Sequence, residues 1–288
     1  MPELPEVETI VNDLNEVILN KKIKKVEILL SKIIRGTNKN FCATLENNSF
    51  QKISRWGKFI IIQLSLKNKY LVVHLRMSGQ IIYYMGKDKI IVGGHNVKNN
   101  QLDLPNKQTH LIIYFSDNSK LFYNDQRQFG YWQVVNPQEL KEIQNRLGLN
   151  PLSAEFTLSS FQESLENKRG SIKAFLLNQK YIAGLGNIYT DECLFEARVL
   201  PFRKTNTLSA QEIEKLYKAI KDILNLAIQY RGTTFSDYVD AKGHKGTFIK
   251  LLKVYRREGQ ECFRCSKGII KKVKIAGRWS RYCPYCQK

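Results

Sequence analysis

The first six residues of the chain place a potential nucleophile beside two carboxylates. Removal of Met1, which a small residue such as Pro2 favours, would leave Pro2 with a free secondary amine. An α-amino group titrates near about 7.7–8.0, so a fair share of it is unprotonated at neutral pH and able to attack an electrophilic carbon. Glu3 and Glu6 lie within one helical turn of that amine, where they are placed to move protons for such a reaction.

The same stretch also fits an ordinary helix start. Acidic side chains and Pro5 are favoured in a first turn by the helix dipole and by the fixed backbone angle of proline. The apolar residues that follow recur every three or four positions and predict an amphipathic helix: Val7, Ile10, Val11, Leu14, Val17 and Ile18. From these residues alone, the catalytic and the purely structural interpretations both stay open.

Four cysteines near the end of the chain have the spacing of a metal site. Cys262 and Cys265 form one Cys-x2-Cys pair, and Cys283 and Cys286 form a second pair after 17 intervening residues. Two such pairs in a segment too small for a core of its own predict one zinc ion, bound tetrahedrally by thiolates. Four sulfur ligands leave no open coordination position, so its role is expected to be structural. Disulfides or a redox pair are the alternative.

The charge of the chain indicates a polyanionic partner. The net charge is +20, from 46 Lys and Arg against 26 Asp and Glu, and residues 241–288 alone hold 14 basic and 2 acidic side chains. Nucleic acid therefore explains the composition better than a solvated lysine-rich surface. No apolar run approaches a membrane span, and the first 20 residues contain no Lys or Arg. We expect a soluble, cytoplasmic, monomeric protein with two buried thiols outside the metal site: Cys42 and Cys193.

The hydrophobic pattern predicts strands in the first half of the chain. Short segments rich in Ile, Val, Phe and Tyr follow one another without helix-length insertions, which favours an antiparallel sandwich. The predicted strand segments are Val26–Ile34, Phe50–Leu66, Tyr70–Tyr84, His110–Phe115, Lys120–Tyr123 and Tyr131–Val135. The polar stretch Gly86–Asn106 is predicted to be a long loop.

From Pro137 onward the period becomes helical. The predicted helices are Gln138–Leu147, Leu158–Lys168, Ile172–Asn178, Asn187–Phe195 and Ala210–Arg231. The last of them opens with a capping box from Ser209 to Glu212 and closes at Gly232. Residues Gly232–Lys250 are too long for a simple connection and are interpreted as a lid or a linker.

These patterns predict an α+β protein with three parts. Residues 1–137 form an antiparallel β-sandwich domain with an N-terminal helix, and residues 138–250 form a helical domain with the lid. Residues 251–288 form a zinc-finger β-hairpin.

Several blocks of sequence together resemble the formamidopyrimidine-DNA glycosylase family, base-excision enzymes whose N-terminal proline is the nucleophile. The resemblance extends over essentially the whole chain. Its blocks are the opening PELPEVE, Arg55-Trp-Gly-Lys58, His74-Leu-Arg-Met-Ser-Gly79, Asn124-Asp-Gln-Arg-Gln-Phe-Gly130, Lys168-Arg-Gly-Ser-Ile-Lys173, Gly184-Leu-Gly-Asn-Ile-Tyr-Thr-Asp-Glu192 and the cysteine pairs.

The resemblance implies roles for residues of the first domain. Lys58, which would otherwise be taken for a lysine at a sheet edge, matches the lysine that contacts phosphate beside the lesion. The two blocks around His74 and Arg127 match the intercalating loops of the family. Met77 and Phe129 would fill the hole left by an extruded base, and Arg127 would read the opposite cytosine, although either apolar residue alone would more often belong to a core.

For the rest of the chain, the resemblance implies a helix-two-turns-helix element. Asn187 would open a helix whose unpaired N–H groups bind phosphate, supported by Lys168 and Lys173. Arg278, between the cysteine pairs, matches the arginine that grips phosphate and assists the final elimination.

The implied function is a bifunctional DNA glycosylase and AP lyase acting on double-stranded DNA with oxidised purines or abasic sites. Pro2 would attack C1′, Glu3 would move protons at the sugar, and Lys58 and Arg278 would serve the two eliminations. Two alternatives stay open. One is the same fold with a preference for oxidised pyrimidines, and the other is a zinc-hairpin DNA-binding protein without catalysis.

Overall fold

The computed structural model describes residues 1–86, 88–92, 94–95, 104–233, 238–239 and 246–288. The chain divides into two compact units, one formed by residues 1–145 with 230–249 and the other by residues 146–229 with 250–288. Most of the predicted lid, including nearly all of the block 241–246, lies outside the described residues. No described helix combines the length and the hydropathy needed to cross a membrane.

The first unit begins with helix α1, which spans Leu4–Val17. Its apolar residues at spacings of three and four form one buried stripe, which includes Val7, Ile10 and Leu14. Pro5 occupies the first turn, where a missing N–H costs no hydrogen bond. The predicted amphipathic helix is therefore present, and its buried stripe belongs to the main core of the unit.

Two five-stranded sheets form the sandwich of the first unit. One has the order β1-β9-β10-β6-β7 and the other the order β2-β11-β5-β4-β3. Their bounds are β1 Ile23–Ile28, β2 Ile34–Arg35, β3 Phe50–Trp56, β4 Phe59–Leu64, β5 Tyr70–His74, β6 Gly79–Met85, β7 Asp88–Val92, β9 Thr109–Phe115, β10 Lys120–Asp125 and β11 Tyr131–Val135. The described pairings are antiparallel apart from β2 with β11.

Side-chain alternation builds the core between these sheets. On β10, Leu121 and Tyr123 lie in the main core, which also contains residues of α1 and of both sheets. Phe122 lies on the other face, in a small cluster with Ile82 and Ile112. The alternation of side chains along a β-strand thus places successive residues of β10 in different clusters.

Local details of the first unit differ from the sequence predictions. The predicted loop Gly86–Asn106 contains β7 and the short strand β8 (Gly94–His95), which pairs with β12 (Tyr238–Val239). Helix α2 (Asn38–Leu45), capped by the hydroxyl of Thr37, was not predicted. Cys42 on this helix is half-buried rather than buried. Helix α3 (Pro137–Asn145) completes the unit.

The second unit is helical with a C-terminal hairpin. Its helices are α4 Leu158–Leu165, α5 Ile172–Leu177, α6 Asn187–Glu196 and α7 Ala210–Gln229. The predicted capping box of α7 is present, because Ser209 N–H donates to Glu212 Oε2 at 2.8 Å and Glu212 N–H donates to Ser209 Oγ at 3.3 Å. The hairpin strands are β13 Lys271–Ile275 and β14 Arg278–Tyr282.

Candidate active site and nucleic-acid interface

The start of α1 is buried and held by one carboxylate. Glu3 and Glu6 expose only 4% and 3% of their surface, and Pro2 is buried as well. Glu3 N–H donates to Glu6 Oε2 at 2.9 Å, and Thr233 N–H donates to Glu6 Oε1 at 2.8 Å. Both oxygens of Glu6 therefore hold main-chain groups, one at the N-terminus and one far along the chain.

The terminal amine lies in an environment that favours its neutral form. In the described chain this amine belongs to Met1, and burial lowers its pKa, with Lys58 acting in the same direction. Glu3 and Glu6 oppose the shift. Since a neutral amine is the nucleophilic form, this environment suits nucleophilic chemistry at neutral pH. Trimming of Met1 would give the terminal position to Pro2.

Lys58 lies in a two-residue hairpin turn between β3 and β4. Trp56 and Phe59 close the turn as a cross-strand pair, and Gly57 takes a φ of +58°, which favours glycine. Arg55 Nη1 donates to the carbonyl of Gly57 at 3.0 Å and fixes the turn. Lys58 is only 7% exposed. Lys58 is thus buried although it lies in a turn, outside the regular part of the sheet.

Three predicted DNA-contacting side chains come together at the surface of the first unit. Arg127 Nη1 lies 2.9 Å from Met77 Sδ, and Arg127 Cζ lies 4.9 Å from the centre of the Phe129 ring. Met77 is 39% exposed and Phe129 is 55% exposed. Large apolar side chains gathered around a cation at the surface indicate a binding site rather than a core. We call Met77, Arg127 and Phe129 the wedge cluster.

His74, at the end of β5, is buried and neutral. The N–H of Arg76 donates to His74 Nδ1 at 3.0 Å, so the ring proton must be on Nε2. Burial lowers the pKa of His74 to about 3, and the charge of Arg76 adds to the shift. The ring is therefore a neutral hydrogen-bond donor through Nε2.

Two further cations near His74 were missed by the sequence analysis. Arg35 Cζ lies 3.3 Å from the centre of the Tyr131 ring, and Arg76 Cζ lies 5.9 Å from it. The same Tyr131 ring stacks on His74 with the centroids 5.9 Å apart. Arg35 belongs to β2 and Tyr131 to β11, which pair in parallel, so nothing local in the sequence connects them.

In the second unit, the predicted phosphate-binding helix start is well formed. Helix α6 begins at Asn187, and the preceding Gly184 has a φ of +95°. The side chain of Gln179 supports this turn, accepting from Gly184 N–H at 2.9 Å and donating to the carbonyl of Leu185 at 2.8 Å. Half-buried Lys168 places Nζ 4.9 Å from the centre of a tyrosine ring.

Lys173 does not have the exposed position that its predicted phosphate contact requires. Its side chain is 0% exposed, and Nζ lies 2.5 Å from Asp191 Oδ1. Asp191 Oδ2 also accepts from Arg281 N–H at 3.0 Å, and the carbonyl of Trp279 lies 3.5 Å from the ammonium. Since a buried, paired ammonium presents no charge to a ligand, we assign Lys173 to the support of the hairpin instead. Asn187 Nδ2 donates to the same Trp279 carbonyl at 3.0 Å.

The four predicted metal ligands form one cluster in the second unit. The sulfur atoms of Cys262, Cys265, Cys283 and Cys286 all lie within 4.8 Å of one another. Two of the sulfur pairs are 3.7 and 3.8 Å apart. A tetrahedron with zinc–sulfur bonds of about 2.3 Å has edges of about 3.8 Å, so the donors fit a metal ion of that size. Arg278, the first residue of β14, is exposed.

Models of known protein families match most of the chain. The model of the formamidopyrimidine-DNA glycosylase N-terminal domain matches residues 1–132, and that of the formamidopyrimidine-DNA glycosylase H2TH domain matches residues 147–239. Similar curated proteins share its length. The formamidopyrimidine-DNA glycosylase of Pelotomaculum thermopropionicum is 41% identical, and the alignment covers 100% of this chain and 99% of that protein. The one from Streptococcus pneumoniae is 35% identical with the same coverage.

Solved structures of DNA complexes are similar over the full length. A complex of Lactococcus lactis Fpg with DNA containing an abasic site has a TM-score of 0.84 at 32% identity, covering 99% of both chains. A variant of that protein with DNA containing Fapy-dG has a TM-score of 0.86, and the wild type with DNA containing an oxidised pyrimidine has one of 0.84. Both are 32% identical and cover 100% of the two chains.

Proposed function

Because this chain belongs to the formamidopyrimidine-DNA glycosylase family and is a DNA glycosylase of base excision repair, we propose that it removes oxidised purines and then cleaves the DNA strand as an AP lyase. The observation that carries the proposal is the buried start of the chain, where Pro2 lies beside Glu3 and Glu6. The terminal amine, which belongs to Met1 here, has a pKa lowered by burial, and the charges of Glu3, Glu6, Lys58 and Arg127 act on it. Because Pro2 adjoins this amine in the chain, we expect the same charges to act on the Pro2 nitrogen once Met1 is removed.

The reaction proposed for this site begins with base release. The Pro2 nitrogen, freed by removal of Met1, attacks C1′ of an extruded nucleotide, and the bond from C1′ to the base breaks as the base takes up a proton. Loss of the remaining nitrogen proton and cleavage of the C1′–O4′ bond, with O4′ taking up a proton, open the sugar ring and leave an iminium ion between Pro2 and C1′, which serves as an electron sink. Glu3 moves the protons at the sugar in this proposal. Glu6, whose oxygens accept from two backbone N–H groups, positions Glu3.

Strand cleavage follows from the same covalent intermediate. Loss of a proton from C2′ breaks the C3′–O3′ bond and the 3′ phosphate leaves, and loss of a further proton breaks the C5′–O5′ bond and the 5′ phosphate leaves. Water then hydrolyses the iminium, which releases the sugar remnant from Pro2 and leaves a one-nucleotide gap in the DNA. We propose that Lys58 serves the first elimination and that Arg278 serves the second, each by contact with phosphate. Base extrusion is assigned to the wedge cluster, with Met77 and Phe129 filling the stack and Arg127 reading the opposite base.

Other groups are proposed to hold the DNA backbone. His74 offers a neutral Nε2–H, while Arg35 and Arg76 add positive charge beside the same tyrosine ring. In the second unit, the start of α6 at Asn187 and the ammonium of Lys168 are proposed phosphate ligands.

We also propose that the four cysteines bind a single structural zinc ion, since their sulfur spacing fits a tetrahedral site. Bound there, the metal would stabilise the hairpin that carries Arg278, and it takes no part in the chemistry at the sugar. We further propose that domain boundaries lie at residues 137 and 250 and that the protein is a monomer. Because the relatives come from bacteria, we propose that the protein works on chromosomal DNA in a bacterial cytoplasm.

Borohydride trapping tests this function directly. Wild type and Pro2→Gly are incubated with a duplex containing 8-oxoguanine opposite cytosine, and the imine is reduced to a stable adduct. We expect a strong covalent adduct from wild type and a large loss in the variant, because glycine lacks the ring that fixes the position of the nucleophilic nitrogen. A trimmed, zinc-loaded wild type that gives no adduct, with this lesion or with an abasic site, would exclude the lyase mechanism. The same duplex with an oxidised pyrimidine tests the alternative lesion preference.

A further inference from the structure

A buried carboxylate lies directly beneath the wedge cluster. Asp125 ends strand β10, is 0% exposed, and lies opposite Gly79 in the sheet. Its Oδ1 accepts from the Ser78 hydroxyl at 2.5 Å and from Arg127 N–H at 3.2 Å. Its Oδ2 accepts from Gly130 N–H at 2.7 Å and from the Tyr123 hydroxyl at 3.2 Å. Each carboxylate oxygen of Asp125 thus accepts hydrogen bonds from two of these donors.

These donors belong to the two loops that carry the wedge cluster. Ser78 directly follows Met77, while Arg127 N–H and Gly130 N–H flank Phe129 on the second loop. Ser78 Oγ also accepts from Arg127 N–H at 2.9 Å, so the two loops are joined both directly and through the carboxylate. Arg127 of the wedge cluster therefore contacts Asp125 itself. Met77 and Phe129 each directly precede a residue that does, Ser78 and Gly130.

Close packing leaves these loops little freedom to rearrange. A Cβ on Gly79 would lie 2.8 Å from the Tyr123 hydroxyl oxygen, and one on Gly130 would lie 1.9 Å from it. Arg76 and Gln128, one in each loop, have φ values of +52° and +55°, which ordinary residues rarely adopt. Such strained conformations persist only where the surrounding contacts determine them.

The nature of the donors indicates what the carboxylate does. The four donors to Asp125 are uncharged N–H and O–H groups. Burial and the charge of Asp125 raise the pKa of Tyr123, so its hydroxyl stays protonated and donates. Burying a carboxylate is costly without hydrogen bonds to replace those of water. A role in holding the geometry of the two loops therefore explains a buried carboxylate with four directional donors at Asp125 better than packing does.

We propose that Asp125 is a positioning residue for base extrusion: it holds the loops 74–79 and 124–130 so that the wedge cluster is arranged for insertion before DNA binds. This inference rests on the proposed excision function. Asp125 acts through Ser78, Arg127 and Gly130 and does not itself contact the substrate. The need for it is therefore greatest when the enzyme must unstack a well-paired lesion, and small when the lesion is already unpaired.

The test compares excision of 8-oxoguanine from two substrates under single-turnover conditions. In one the lesion is paired with cytosine in a duplex, and in the other it lies in a bubble of mismatched bases. The variant Asp125→Asn keeps the shape of the side chain but replaces an acceptor oxygen by a donor, leaving buried N–H or O–H groups unmatched. We expect excision from the paired duplex to slow by about tenfold or more. Excision from the bubble should stay within about twofold of wild type.

Asp117→Asn is the matched control. Asp117 also accepts hydrogen bonds next to a strand, from Ser119 N–H at 3.0 Å, but it lies in the β9–β10 turn and its side chain is 41% exposed. This variant should behave as wild type on both substrates. If Asp125→Asn does not fold, Ser78→Ala removes one of the bridging groups and should show the same selective loss in smaller degree.

The outcomes separate this inference from the function on which it rests. An active wild type with Asp125→Asn, or Ser78→Ala in its place, slowed equally on both substrates would overturn the positioning role in favour of a general structural one. Unchanged excision from the paired duplex would overturn it as well. A wild type inactive on both substrates would refute the proposed function, and this inference with it.

Discussion

At the scale of single residues, burial determines what His74 can offer to a ligand. The backbone N–H of Arg76 fixes Nδ1 as an acceptor, and the low pKa keeps the ring neutral. The remaining Nε2–H is a donor whose strength does not depend on pH in the physiological range. A phosphate contact from this residue therefore adds direction and no charge, while the neighbouring guanidinium groups of Arg35 and Arg76 supply the charge.

The lowered pKa of His74 predicts a pH dependence of stability. The unfolded chain binds a proton at this histidine below its ordinary pKa of 6.5, whereas the folded chain does not until about 3. The unfolded state then binds more protons, so the free energy of unfolding falls as pH falls through this window. Between pH 7 and pH 5 the loss from this residue is expected to approach about 2 kcal/mol.

Urea unfolding of wild type and His74→Gln at several pH values measures this effect. Glutamine keeps a polar side chain of similar reach that does not titrate, so the variant should lose less stability between pH 7 and pH 5. Equal pH slopes in the two proteins would show that the ring is protonated to the same extent in the folded and unfolded states.

At the scale of elements, one buried ion pair joins three pieces of the second unit. Lys173 comes from α5, Asp191 comes from α6, and the partner groups of Trp279 and Arg281 come from β14. The hairpin strand that begins with Arg278 is thereby fixed to the helix that begins with Asn187. The relative positions of two proposed phosphate ligands, Asn187 and Arg278, are thus set in part by the buried pair of Lys173 and Asp191.

Removal of the buried ammonium should therefore destabilise the protein. Lys173→Met leaves the buried carboxylate of Asp191 without its cation, and the expected loss in the free energy of unfolding is about 3–5 kcal/mol. Lys25→Met, which breaks an exposed pair with Glu27, should cost only about 0–1 kcal/mol. Chemical unfolding followed by circular dichroism measures both. In the double variant Lys173→Met with Asp191→Leu, much of the lost stability should return, and a double variant as unstable as the single one would contradict this account.

At the scale of the whole molecule, the features that could be predicted from the sequence are those that depend on residues close together along the chain. The capping box of Ser209 and Glu212, the apolar stripe of α1 and the spacing of the cysteines are local patterns, and each is present. The α+β class and the sandwich followed from the same kind of pattern. The family resemblance supplied the chemical roles, which those patterns alone left open.

Features that depend on distant partners could not be predicted in this way. Lys173 has the sequence context of a surface lysine, and its burial results from Asp191, 18 positions away, and from Trp279, 106 positions away. In the sequence Asp125 is an acidic residue in a polar stretch, and only the pairing of β10 with β6 shows that it lies beside Ser78. Strand β7 lies within a stretch whose polar and glycine-containing composition indicated a loop.

The net charge of +20 predicts how DNA binding responds to salt. Affinity should fall steeply with salt, and each lost phosphate contact should lower the slope of log affinity against log salt by about one. Lys168→Ala, Arg127→Ala and Arg278→Ala should each have this effect. Lys173→Met, assayed below its unfolding temperature, should leave the slope unchanged because its charge is buried. Binding measured by fluorescence anisotropy over a salt series checks this, and unaltered slopes in the first three variants would remove them from the interface.

The hydrogen bond between Glu6 and Thr233 also bears on how the protein matures. It joins residues 227 positions apart, so it cannot form until the ribosome has synthesised most of the chain. Until then this bond cannot hold the amino terminus, and we expect Met1 to be accessible to an aminopeptidase. In the finished fold Pro2 is buried and Glu3 N–H is engaged by Glu6. We therefore expect trimming during translation, before the fold closes around Pro2, and an affinity tag placed ahead of Met1 should abolish the chemistry proposed for Pro2 whatever its effect on folding.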